Sequence, residues 1–232
     1  MGNLLFPNGY KCLVCGKEIK PSNFDFCDSC FLKLKKITGK VCLKCGEQLC
    51  SDATYCLRCK NEQPNFTKAF APFEFDGEIK NLIYNLKYNK QTYVAKTLSN
   101  LILKYFLESG LKVDVVIPVP LYLSREFKRG FNQSELLIQS FSDNGFIINN
   151  SCLVRVKETS TQTALTKAER KLNVENAFRV VNQSVVKNKN VLVVDDVYTT
   201  GATFSEVAKV LFSAGAKNVY CLSVAHTKLE NS

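Results

Sequence analysis

The sequence has little histidine, and it has no long apolar run. The only histidine among the 232 residues is His226, so the cysteine-rich first part of the chain cannot form a mixed cysteine–histidine metal site. No apolar run approaches the roughly 20 residues that a membrane span needs. The first residues lack the basic region and apolar stretch of a secretion signal. These absences predict a cytoplasmic protein whose clustered cysteines stay reduced.

The chain also lacks a uniform distribution of cysteine. Nine of the eleven cysteines lie between Cys12 and Cys59, while the formal net charge of +10 forms no single basic tail. A hydrophobic fraction of 46% is enough to build a core. We therefore expect a small cysteine-rich module at 1–65, a linker at 60–65, and a globular domain at 66–232.

Four Cys-x2-Cys pairs form two similar units offset by about 30 residues. Two such pairs supply the four thiolates of a closed, tetrahedral zinc site, so we predict two structural zinc ions. Disulfides and an iron–sulfur cluster are the alternatives, and the pairing can be sequential or cross-braced. Cys50, Cys152 and Cys221 are left over. The predicted ligands are Cys12, Cys15, Cys27, Cys30, Cys42, Cys45, Cys56 and Cys59.

Beyond residue 66, apolar strands alternate with amphipathic helices, which predicts an α/β fold with a mostly parallel sheet. Strands are expected at 69–75, 113–119, 152–156, 178–181, 191–194 and 219–224. Helices are expected at 78–88, 93–108, 134–142 and 204–214.

The segment 191–203, VLVVDDVYTTGAT, combines a buried strand, two acids and a threonine–glycine loop before a helix. Loop amides, hydroxyls and a helix N-terminus suit a phosphate. Asp195 and Asp196 suit the vicinal hydroxyls of a ribose, and they can also hold Mg²⁺. An ordinary capped helix after an acidic turn is the alternative reading.

This segment resembles the phosphoribosyl-pyrophosphate (PRPP) signature of type I phosphoribosyltransferases. The blocks 119–121 with 129–133, and 159–178, together with the cysteine pairs, are similar to the competence protein F (ComF) family over nearly the whole chain. The resemblance implies the type I phosphoribosyltransferase fold, with a five-stranded parallel sheet behind a zinc-ribbon module. It implies that PRPP with Mg²⁺ is bound by Asp195, Asp196, Thr199, Thr200, Gly201, Ala202 and Thr203.

The resemblance also implies a pyrophosphate side to this site. Arg125, Lys128 and Arg129 would supply cations there, although they also fit a solvated basic turn. The segment 157–170 lacks apolar periodicity and would be a mobile loop that closes over the ligand. Gln162 and Arg170 are its expected ligand contacts, and the alternative is that either residue only fixes the loop.

Two classes of function follow. One is an enzyme that transfers phosphoribosyl from PRPP to an unknown nitrogen acceptor. The other is a phosphoribosyl-ligand sensor whose zinc ribbons and basic surface engage single-stranded DNA or a helicase. The family resemblance implies a role in natural competence and DNA uptake. His226 is expected to be structural or solvated.

Overall fold

A parallel β-sheet lies at the centre of the larger part of the chain. The structure is a computed structural model, which describes residues 10–22, 24–158 and 167–228. The strands are β1 (Lys68–Phe70), β2 (Phe73–Glu74), β3 (Val115–Pro118), β4 (Leu153–Arg155), β5 (Phe178–Val180), β6 (Asn190–Tyr198) and β7 (Asn218–His226).

The helices alternate with these strands as the sequence predicts for an α/β fold. They are α1 (Asp28–Phe31), α2 (Leu57–Glu62), α3 (Gly77–Tyr88), α4 (Val94–Glu108), α5 (Leu123–Arg129), α6 (Gln133–Leu137), α7 (Gln139–Asp143), α8 (Lys167–Val174) and α9 (Ala202–Ser213).

The sheet has five strands, all of them parallel. The order is β1–β7–β6–β3, and β2 extends the β1 edge by also pairing with β7. The central strands contain continuous apolar runs, such as residues 191–194 of β6, because helices cover both faces of the sheet. Their carboxyl ends therefore meet at one edge, which is where ligands bind in open sheets of this kind.

The two faces of the sheet are covered by two separate apolar clusters. One contains residues of α3, α4 and α7 together with Leu192 and Leu222. The other contains residues of α9 together with Val191 and Val193. The antiparallel pair β4–β5 lies apart from the main sheet, with β5 against α9.

The two cysteine units line the β1–β2 edge of the sheet. Cys12 and Cys30 of the first unit belong to the α3–α4 cluster, whereas all four ligand cysteines of the second unit belong to the α9 cluster. Backbone hydrogen bonds join the module to the edge, from Ala69 N to Lys44 O at 2.7 Å and from Glu74 N to Lys35 O at 2.8 Å. The module thus covers backbone groups that an open sheet edge would expose.

Several element boundaries differ from the sequence prediction. The strand expected at 69–75 is broken into β1 and β2 around Pro72, which has no amide to donate. The helix expected at 134–142 forms two short helices, and the strand expected at 191–194 extends to Tyr198. The predicted loop at 157–170 is helical from Lys167 onward, while Gln162 lies outside the described residues.

Candidate functional site

The acidic pair lies in the last part of strand β6. Asp195 Oδ1 accepts hydrogen bonds from Ser134 Oγ and from the Asp196 amide, both at 2.9 Å. Asp196 is 4% exposed, and its carboxylate forms an ion pair with Lys87 Nζ. Both carboxylates are therefore held in place by described neighbours, as the ligands of a small cation or a diol need to be.

Several cations surround Asp195. Burial raises the pKa of its carboxyl, while Lys87, Arg155 and Arg129 oppose that rise with their charges and Ser134 does so with its hydrogen bond. Burial also lowers the pKa of Lys87 to about 8 and that of Arg155 to about 10. Such crowded, desolvated charges are typical of sites built for an anionic ligand.

The threonine–glycine loop begins at Thr199, after two further residues of β6 that follow the acidic pair. Gly201 has φ +79° and precedes the first residue of α9, where its left-handed conformation suits glycine. A Cβ at this position would lie only 2.2 Å from the hydroxyl oxygen of Tyr198. Tyr198 is itself buried and stacks on His226 at 4.4 Å between ring centroids. The loop thus rests closely on a buried aromatic pair.

His226 is 3% exposed and its ring nitrogen Nδ1 lies 2.9 Å from the Thr227 carbonyl. Burial lowers the pKa of its imidazole to about 4, which keeps the ring neutral at pH 7. The structural role expected for His226 agrees with this placement.

Two of the predicted pyrophosphate-side residues, Arg125 and Arg129, act electrostatically on charged groups of this site. Arg129 acts electrostatically on Asp195, hydrogen-bonds to Gln133 and lies 6.0 Å from the Tyr88 ring centroid. The charge of Arg125 contributes to the lowered pKa of Arg155. Lys128 is exposed on the same helix, α5. Arg170 falls in helix α8.

Three residues of this site were not predicted from the sequence: Lys87, Ser134 and Arg155. Lys87 comes from the last turn of α3, and Ser134 from the first turn of α6. No local motif marks them, because each reaches Asp195 or Asp196 only through the packing of its element on the sheet. Ser134 follows the quoted 129–133 block directly, and this adjacency is the one available signal.

The cysteines form two separate four-sulfur groups. The first is Cys12, Cys15, Cys27 and Cys30, and the second is Cys42, Cys45, Cys56 and Cys59, each with all sulfurs within 4.8 Å of one another. All eleven cysteines lie in the described chain, and none of them forms a disulfide bond. This geometry fits tetrahedral zinc, so the pairing is sequential, with one structural site in each unit.

The two units repeat one another in their backbone bonds. Gly16 N donates to Cys12 O and Gly46 N donates to Cys42 O, each at 2.9 Å. They differ in burial, since Cys15 is exposed whereas every ligand of the second unit is buried.

The fold and the acidic loop define a class of protein. Residues 88–230 match the phosphoribosyl transferase domain, and residues 1–60 match the double zinc ribbon domain. The chain therefore has a type I phosphoribosyltransferase fold preceded by a double zinc ribbon. Within that class, the chain belongs to the competence protein F (ComF) family.

Its relatives in that family match it over most of their length. The chain is 31% identical to the DNA utilization protein YhgH of Salmonella typhimurium, over 91% of this chain and 95% of the relative. It is 30% identical to competence protein F of Haemophilus influenzae, over 93% and 96%. It is 28% identical to competence protein ComFC of Bacillus subtilis, over 88% and 89%.

Among solved structures, the chain is similar to the allosteric regulatory enzyme of purine biosynthesis, with 24% identity and a TM-score of 0.38. That match covers 56% of this chain and about a quarter (26%) of the larger one. In the part of the chain that the structure describes, no helix has the length and apolar character to cross a membrane.

Proposed function

We propose that this protein binds PRPP together with Mg²⁺ at the acidic pair and the adjoining loop, and that it acts in natural competence and DNA uptake. The observation that carries the proposal is the placement of Asp195 and Asp196 among cations, directly before a glycine-bearing loop at the start of α9. Acids for a ribose and a loop for a phosphate lie one after the other in the chain.

Each part of the site has a distinct task in this proposal. Asp195 and Asp196 accept hydrogen bonds from the ribose hydroxyls, and the loop 199–203 binds the 5-phosphate. Mg²⁺, a cation that prefers oxygen ligands, would be held by the carboxylates and the ligand oxygens and would neutralise pyrophosphate charge. Arg125 and Arg129 meet the pyrophosphate, for which the guanidinium group is well shaped.

The same geometry supports phosphoribosyl transfer. A nitrogen lone pair of the acceptor would form a bond to the anomeric carbon, and the bond from that carbon to the pyrophosphate oxygen would break. Both electrons of the broken bond leave with pyrophosphate, and the acceptor nitrogen loses a proton. The arginines would stabilise the charge that develops on the leaving group.

A second candidate is a sensor that binds the ligand without turnover and engages single-stranded DNA or a helicase. Helix α5 favours it, because Phe127 is 93% exposed and Leu123 is 77% exposed on a helix that also carries Arg125, Lys128 and Arg129. Exposed aromatic rings beside cations suit stacked bases and a phosphate backbone. The names of the relatives, which refer to competence and DNA utilization, agree with either candidate.

The test is PRPP binding by calorimetry with Mg²⁺, paired with pyrophosphate release across a panel of nitrogen bases. Asp195→Asn should weaken binding by about tenfold or more, since it removes the negative charge that strengthens the hydrogen bond to the ribose hydroxyl and attracts Mg²⁺. Asp143→Asn is the matched control, because Asp143 is exposed and pairs with Lys96 on the surface.

Binding with release supports the enzyme, and binding without release for any base supports the sensor. If the wild-type protein binds no PRPP, or if Asp195→Asn binds it equally well, the proposed site is wrong.

A further inference from the structure

Arg58 of the second zinc unit contacts the phosphate loop. It lies between the ligands Cys56 and Cys59, in the first turn of α2, and its side chain is 4% exposed. An arginine is seldom buried to this degree unless its charge and donors have partners. The position of those partners therefore indicates why the residue is there.

The partners of Arg58 lie in two different parts of the molecule. Its Nη2 donates to Cys45 Sγ at 3.8 Å and lies 3.5 Å from Glu47 Oε2. Its Nη1 donates to the Thr199 carbonyl at 3.0 Å, across 141 residues of sequence. One guanidinium thus joins a zinc ligand to the first residue of the loop.

The bond to Thr199 fixes the orientation of the next amide. A trans peptide is planar, so the N–H of Thr200 points opposite to the carbonyl of Thr199. Because Arg58 holds that carbonyl, the Thr200 N–H is turned away from the zinc unit. Among the described residues, no hydrogen-bond partner occupies this N–H. It is therefore available to an anion in the loop.

Two further contacts join the same segment to the loop. The Arg58 guanidinium lies 5.1 Å from the centroid of the Tyr198 ring, on which Gly201 rests. Asn65 donates from its backbone amide and from Nδ2 to Ser205 Oγ, each at 3.1 Å, in the first turn of α9. Residues 58–65 therefore hold the loop at both of its ends.

The internal repeat separates this task from zinc binding. The position equivalent to Arg58 in the first unit is Ser29, and the position equivalent to Glu47 is Lys17. The first unit gathers four cysteine sulfurs without the buried arginine–glutamate pair. A four-cysteine site does not require that pair, so the pair has another use in the second unit.

We propose that the second zinc unit is a clamp for the phosphate loop and that Arg58 is its positioning residue. This proposal rests on the proposed function of the loop. When zinc fixes Cys45, the Arg58 guanidinium is fixed with it, and so are the Thr199 carbonyl and the direction of the Thr200 amide. The first zinc unit makes no such contact with the loop among the described residues.

The experiment compares Arg58→Met with the matched variant Ser29→Ala in the full-length, zinc-loaded protein. Hydrogen exchange of residues 199–205 without ligand, the zinc content, and the Mg²⁺–PRPP affinity are measured on each. In Arg58→Met we expect faster exchange of the loop, two zinc ions per chain, and an affinity lower by about tenfold to a hundredfold, the range for a hydrogen bond to a charged group. Ser29→Ala, which removes a 3.2 Å contact between Ser29 Oγ and Cys27 Sγ in the first unit, should match wild type in loop exchange and in affinity.

Wild-type loop exchange in Arg58→Met would overturn the clamp. If the methionine variant loses its second zinc, Arg58→Lys is measured instead. The lysine ammonium should stay with the anionic Glu47 and Cys45 side chains and no longer donate to the neutral Thr199 carbonyl. Faster loop exchange in Arg58→Lys with two zinc ions still bound supports the proposal, and loop exchange equal to that of wild type refutes it. If wild type binds no PRPP, the proposed function fails, while the exchange comparison still tests the clamp.

Discussion

Lys87 is the residue whose charge most directly affects the acidic pair. Its ammonium pairs with Asp196, and both side chains are largely buried, at 21% and 5% exposed. Burial lowers the pKa of Lys87 to about 8; Asp195 opposes that shift, and Arg129 adds to it. A divalent cation that binds Asp196 must therefore compete with this ammonium.

We expect Mg²⁺ affinity to rise by about tenfold between pH 7 and pH 9. Below a pKa of about 8 the lysine is mostly charged and holds Asp196; above it the neutral amine no longer competes with the metal. Lys87→Met should bind Mg²⁺ more tightly at pH 7 and should lose this pH dependence. Calorimetric titration with Mg²⁺ alone measures both effects.

The same variant provides a check on folding. Without Mg²⁺, removal of one partner of a buried pair should destabilise the protein by about 3 kcal/mol, and added Mg²⁺ should restore much of that loss. Identical pH dependence in wild type and Lys87→Met would show that the ammonium does not compete for the site.

At the scale of the elements, the two zinc units have the same type of ligand, but their cysteines differ in burial. Cys15 is exposed and Cys27 is half-buried, whereas Cys42, Cys45, Cys56 and Cys59 are all buried. A chelator or oxidant can reach the sulfurs of the first unit directly. It can reach those of the second unit only after that unit opens away from the sheet.

We therefore expect zinc to leave in two phases when a chromogenic chelator is added, with the first-unit zinc released at least about tenfold faster, as local opening controls access to the second unit. Cys15→Ser should abolish the fast phase, and Cys45→Ser the slow one. Release in a single phase, or loss of the slow phase in Cys15→Ser, would contradict this assignment.

The elements that the sequence predicted well are those with a strong apolar pattern. Helices α3, α4 and α9 begin and end within two residues of prediction, because each buries one regular stripe. Helix α5 is not among the helices that the sequence predicts, since it buries no residue and so has no apolar stripe to detect. Strand pattern alone also could not show that β6 continues past Val194, because Asp195 and Asp196 are polar residues whose partners lie elsewhere in the chain.

The site itself was predictable only where its residues form one motif. The acidic pair and the loop are contiguous, whereas Lys87, Arg155 and Arg58 come from three separate elements. Arg58 has one signal in the sequence, because the equivalent position of the first unit of the repeat is a small serine. Its contact with Thr199, 141 residues away, depends on tertiary packing that no local pattern encodes.

At the scale of the whole molecule, the double zinc ribbon covers the β1–β2 edge of the sheet. Phe66 and Phe70 are 0% and 5% exposed, in the two clusters that also contain cysteines of the second and first units respectively. The module therefore contributes to the core of the larger part of the chain. The boundary predicted near residue 65 marks a change in sequence pattern more than a boundary between separately stable parts.

A chain that starts at residue 66 should consequently fold poorly. Uncovering two phenylalanines costs about 3–6 kcal/mol, which is comparable to the whole stability of many proteins. The open edge would also invite pairing between copies. Size-exclusion chromatography and thermal melting against the full chain measure this; a monomer with the stability of the full-length protein would refute it.

Strand β7 has a further consequence for how the molecule is assembled. It lies between β1 and β6, yet it is the last strand in the described part of the chain, and the Val219 amide donates a hydrogen bond to Thr67 Oγ1 across 152 residues. During synthesis the zinc units and the acidic strand emerge before the strand that separates them. Until β7 is released, the ribbon has no sheet edge to cover and Arg58 has no fixed loop to hold. The growing chain thus has both groups of zinc ligands long before the proposed ligand site can form.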